Sequence, residues 1–151
     1  MTPFRERDVR VLIRDLLEQT GVFDEVRLSG MPEARGSSAG RLRAAVVEPV
    51  QTVRNDPWDD LAADPLMTCH VRVTLMSRDD NPQVRDDVAE WLLNIAANAL
   101  LSDALTAWVI PSRTRFRSWT WEDAVAPERR ISAILEYQYL VDGVSGLNTS
   151  V

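Results

Sequence analysis

The chain has 151 residues, 45% hydrophobic and 26% charged, which fits one globular domain and excludes wholesale disorder or a collagen-like repeat. Its 17 basic and 23 acidic residues leave a net charge of −6, which weighs against a free-standing nucleic-acid binder. The longest apolar runs fall far short of the roughly 18 residues a membrane span requires, so no membrane partner is expected.

The first expected element is a helix over residues 4–20. Val9, Leu12, Ile13, Leu16 and Leu17 make one apolar stripe, Thr2 is a candidate N-cap, and Pro3 suits the first helical position. Gly21 is the expected left-handed stop. A short strand over residues 25–29 follows, with Val26 and Leu28 on one face. Residues 29–40, rich in Gly, Ser and Pro and including Arg35, read as a long loop.

Residues 41–54 read as a strand in which Pro49 implies an edge, a bulge or a bend. Residues 55–65 read as a loop with two prolines and four aspartates, among them Asp59 and Asp60. Trp58, isolated in that acidic loop, either pins the loop to its own chain or anchors a partner. A strand over residues 66–77 puts Cys69, Val71, Val73 and Leu75 on one face and His70, Arg72, Thr74 and Met76 on the other. Asn81 as N-cap and Pro82 at N1 open a second helix that runs to about Leu101. Its stripe of Val84, Val88, Trp91, Leu92, Ile95, Ala96 and Ala99 predicts Trp91 in the core.

The last third reads as sheet. Residues 107–110 are expected as a short strand ended by Pro111. Residues 113–122 alternate, so that Arg113, Arg115, Arg117, Trp119 and Trp121 share one face. Residues 130–141 return as a strand with Ile131, Ala133, Leu135, Tyr137, Tyr139 and Val141 facing one way. Residues 1–142 are expected as a single domain and residues 143–151 as a flexible tail. The fold class expected is α+β: a single mostly antiparallel sheet of four to six strands, with two amphipathic helices packed on one face.

A search for chemistry returns no phosphate loop, zinc spacing or nucleophile elbow, so no catalytic, cofactor or metal residue is assigned. The single histidine, His70, and the single cysteine, Cys69, fall on opposite faces of one strand and cannot act as a pair. One cysteine makes no internal disulfide, and residues 2–8 are too polar for a signal peptide, so a reducing compartment is expected. The acid pairs Asp59-Asp60, Asp79-Asp80 and Asp86-Asp87 read as caps and loop charges. Every basic side chain is arginine, whose flat fork suits interfaces. The ladder of Arg113, Arg115 and Arg117 reads either as a solvated face balanced by cross-strand acids such as Glu136, or as a protein interface, or less readily as a nucleic-acid contact. Trp119 and Trp121 extend it with the residue type most enriched at interface anchors.

The order of elements over residues 4–141 resembles that of the tail terminator, or tail-completion, proteins of long-tailed bacteriophages and related phage-like particles. The similarity rests on the helix ending at Thr20-Gly21, on the strand 68–76 that runs through 77–82 into the helix 83–101, and on the closing hairpin 113–122 and 130–141. The resemblance implies a non-enzymatic virion protein, made in the host cytoplasm, that forms a ring, typically a hexamer, on the head-proximal end of the tail tube. Its implied partners are copies of itself, the tail tube protein and a head-tail connector, with DNA passing through the ring without sequence-specific contact. In that setting the loops 30–40 and 54–66, with Arg35, Trp58, Asp59 and Asp60, and the face carrying Arg72, Arg113, Arg115, Arg117, Trp119 and Trp121 are the expected interface. The alternatives are another head-tail connector, an injection-device subunit, or a small-ligand or nucleic-acid module.

Overall fold

The computed structural model describes residues 6–30, 41–54, 66–102, 109, 114–123 and 127–140. Within them run α1 (Glu6–Gln19), β1 (Glu25–Arg27), β2 (Arg41–Arg54), β3 (Leu66–Asp79), α2 (Pro82–Leu100), β4 (Arg115–Trp121) and β5 (Glu128–Leu140). The strands form one sheet in the order β1-β2-β3-β5-β4. Only β1 and β2 are parallel; the other three pairs are antiparallel. The expected α+β class, strand number and helix arrangement all hold.

Local signals set most boundaries. Asn81 Oδ1 accepts from the backbone N–H of Gln83 (3.0 Å) and Val84 (3.4 Å), and Pro82 follows as the first helical residue. Gly21 ends α1 at φ +75°, in the left-handed region that glycine enters without strain. Asp24 then ties the chain to β2 in both directions: its N–H donates to the Arg43 carbonyl (2.7 Å) and its carboxylate accepts the Arg43 N–H (2.8 Å). That clamp starts the parallel pairing of Glu25 with Ala44. Pro49 lies beyond the last β1 partner, Val46, and a bulge follows it between Pro49 and Gln51.

Both helices lie on one face. Val9, Ile13 and Leu17 of α1 and Leu92, Ala96 and Leu100 of α2 join Ala45, Val47, Cys69, Val71, Val73, Leu75, Leu135, Tyr137 and Tyr139 in a single buried cluster. The alternation expected for β3 and β5 is therefore realised. α1 packs on β1 and β2, and α2 packs on β3 and β5. No comparable helix contact reaches β4 among the described residues.

Two expectations need correction here. Trp91 is not core but rim, 39% exposed, because the buried face of α2 runs through Ala89, Leu92, Ala96 and Leu100. Alanines at two of those positions let the helix seat close to the sheet, and a tryptophan one residue off the seam is turned aside. Val109 is a buried bend that joins the core rather than a strand residue; the rest of the expected strand 107–110 lies outside the described residues. The outer face is itself partly covered: Ala44, Val46 and Met76 there are fully buried.

Candidate functional site

The third and most consequential local departure is in β4. Arg115 pairs with Glu136 and Phe116 with Leu135, but the next aligned pair is Ser118 with Ile134. Arg117 is thus an extra residue in a bulge, and the alternation changes phase at that point. Trp119 pairs with Ala133 and Trp121 with Ile131, both on the helix-side face. The arginines and tryptophans do not share a face, as strict alternation had implied. Arg115 and Arg117 stay on the outer side with His70, and the indoles stand on the other side.

On the outer side, Glu136 is the hub. Its Oε1 lies 2.9 Å from His70 Nε2, and its Oε2 accepts from Arg115 Nε at 3.0 Å. Arg117 NH1 stands 3.6 Å from Oε1 and 3.3 Å from His70 Nε2. A carboxylate only accepts, so His70 Nε2 must carry the proton of that short contact. Arg117 then cannot donate to the same nitrogen and acts as a flanking charge. His70 and Glu136 are nearly enclosed, whereas the side chains of Arg115 and Arg117 are 68% and 59% exposed. Burial would raise the Glu136 carboxyl, but the hydrogen bonds from His70 and Arg115 and the Arg115 charge outweigh it and hold it below the usual carboxylate range. Arg72, on the same face, is exposed and in register with Glu48.

On the helix side, Trp119 is 57% exposed, and α2 makes no extensive contact with β4 among the described residues. Trp121 is less open, because the Arg129 guanidinium stacks over its ring at 4.8 Å. Arg129 also faces Asp86 of α2 at 3.7 Å, which ties the end of β4 to the helix layer. A shallow groove of about 470 Å³ sits across the molecule, where Arg43 lies 5.2 Å over the Trp91 ring beside Val84, Asp87 and Val88.

The remaining candidates resolve into structural parts. Cys69 is buried beside its cross-strand partner Tyr137, and burial pushes its thiol up to about 11. The Tyr137 hydroxyl is buried with no hydrogen-bond partner among the described residues. His70 meets Glu136 on the opposite face, so the two residues do not form a Cys-His pair. Asp79 accepts from the Asn81 N–H at 2.9 Å, Asp87 accepts from Gln83, and Asp86 faces Arg85 and Arg129. Among the described residues no cluster of three metal-ligating side chains forms. Trp58, Asp59, Asp60, Arg35 and Arg113 lie outside the described residues.

Sequence reasoning missed one buried ionic group. Arg78, only 3% exposed, donates to Glu128 at 2.7 Å, and Arg130 donates to the other oxygen of that carboxylate at 3.0 Å. Burial would raise the Glu128 carboxyl, but these two arginines together lower it. The signal was present: Glu128 and Arg130 are two apart on one strand and so share a face.

No protein-family model matches the chain. No curated protein matches it either.

Proposed function

We propose that this chain is a non-enzymatic assembly subunit that closes into a ring, as a tail terminator or related connector of a phage-like tail does. The observation that carries this reading is β4, an edge strand with no second strand neighbour among the described residues and with Trp119 uncovered on its helix-side face. An open edge offers unpaired backbone groups, and an exposed indole beside it is the usual kind of interface anchor. The bulge and two arginines discourage pairing along the first half of β4, which leaves Ser118 to Trp121 as the stretch a neighbour can use. A head-to-tail contact made by such an edge closes into a ring when the rotation allows. The element order, which resembles that of tail terminators, points the same way.

The test is to image tailed particles that carry a labelled copy of this subunit. The expected result is label at the head-proximal end of the tail tube, with long, unfinished tubes when the subunit is missing. Trp119→Ala should cut incorporation at least about tenfold while the isolated chain keeps its melting temperature within a few degrees. Label elsewhere in the cell with normal particles overturns the reading.

A further inference from the structure

The outer side of β4 holds more positive charge than its surroundings neutralise. Among the described residues Glu136 is the only carboxylate ion-paired to Arg115 or Arg117, and it also receives His70. One carboxylate thus faces two guanidinium groups. Arg115 is bonded through Nε, so its two terminal nitrogens keep their donors. Arg72 adds a further exposed cation on the same face, without an ion pair among the described residues. A cationic patch on a chain of net charge −6 is a local reversal of the molecule's own field.

The same sequence carries its complement. Residues 55–65 join β2 to β3 and contain Asp56, Asp59, Asp60 and Asp64, with no basic residue. Trp58 sits among them, and an indole can stack on a guanidinium face while neighbouring carboxylates take its N–H edge. We propose that the Arg115–Arg117 patch docks the acidic segment 55–65 of a second copy of this chain. The proposal rests on the ring reading above and names the contact that would propagate it. Each copy presents one patch and one segment, so the contact is head-to-tail and every copy can be satisfied once. Glu136 already fixes Arg115, which lowers the ordering cost of docking at that residue. A nucleic-acid phosphate could satisfy the same donors, but a duplex would meet the repulsion of an acidic molecule, whereas the segment brings its charge with the ring.

The test uses the full chain and two charge reversals, R115E/R117E in the patch and D59R/D60R in the segment, followed by sedimentation velocity over a dilution series. Wild type is expected to associate, and more weakly as salt rises. Each reversed variant alone should associate at least about tenfold more weakly. An equimolar mixture of the two should recover association, because every reversed patch then meets a reversed segment on its neighbour. The neutral variant R115Q/R117Q guards against repulsion between a new Glu and Glu136, and should lose the salt-sensitive part of association with its circular dichroism unchanged. A patch variant that associates like wild type overturns the docking, and so does wild type that stays monomeric throughout. Loss in both variants without recovery on mixing also overturns it, because a segment folded onto its own patch behaves that way. Binding of wild type to a duplex oligonucleotide, abolished by R115Q/R117Q, would assign the patch to phosphate instead. The two readings fail separately: a subunit still found at the tail end whose ring tolerates R115E/R117E keeps the function and removes this contact. Recovery on mixing, for a protein absent from particles, does the reverse.

Discussion

β3 and β4 look alike as sequences and behave differently as strands. Both alternate large apolar or aromatic residues with polar ones. β3 lies between two neighbours and keeps step with β5 through all its pairs, so Cys69, Val71, Val73 and Leu75 reach the core as their spacing implies. β4 has one strand neighbour among the described residues, accepts an extra residue at Arg117, and delivers its tryptophans to the face opposite its arginines. A strand held on both sides cannot shift phase without breaking two ladders, whereas an edge strand breaks only one. The freedom that makes β4 harder to read is the same freedom that gives it two chemically distinct faces.

The largest expected effect sharpens that contrast directly. Leu75→Ala in β3 should cost about 2–5 kcal/mol in urea unfolding, because Leu75 is fully buried and the packed sheet cannot collapse around the void. Trp119→Ala in β4 should cost less than about 1 kcal/mol, since most of that side chain is already in water. Equal costs would mean that the indole is packed in solution and is no free anchor.

Removing the bulge comes next. Deletion of Arg117 restores simple alternation and turns Trp119 and Trp121 to the outer face. The Arg129–Trp121 stacking should be lost, at about 0.5–1 kcal/mol, with a change in near-ultraviolet dichroism and faster quenching of the exposed indoles. An unchanged aromatic spectrum would mean that the phase is fixed by something other than the extra residue.

The outer face can be broken by acid. Glu136 and Glu128 both have folded pKa values below their unfolded ones, so each contributes stability that is present above about pH 4–5 and is lost as pH falls through the folded value. Glu136→Gln should therefore flatten the decline of stability between about pH 5 and pH 3 relative to wild type. A slope identical to that of wild type would show that the hub does not titrate with folding.

The smallest effect belongs to the core. Tyr137→Phe removes a buried hydroxyl that has no hydrogen-bond partner among the described residues, so it should be neutral or stabilising by up to about 1 kcal/mol. Cys69, with its thiol held near 11, should resist a thiol reagent at pH 8 until the chain unfolds. Rapid labelling of native protein would mean that the β3–β5 centre opens locally.

What could be read from the chain alone is whatever depends on near neighbours in sequence. Asn81-Pro82 begins α2, Gly21 stops α1, Pro49 marks an irregularity, and period-two runs identify β3 and β5 with their core faces. Those signals are capping bonds, backbone sterics and alternation, all settled within a few residues. Three things waited for the tertiary structure: the arc of α2 that faces the sheet, the partner of each outer-face charge, and the phase of β4. Each depends on a surface built from distant segments. Ala89 and Ala96 gain meaning only against β3 and β5, Glu136 becomes a hub only when His70 and Arg115 are brought across strands, and a bulge exists only relative to the strand it skips. Local sequence specifies which face an element prefers; only the neighbouring element decides what that face meets.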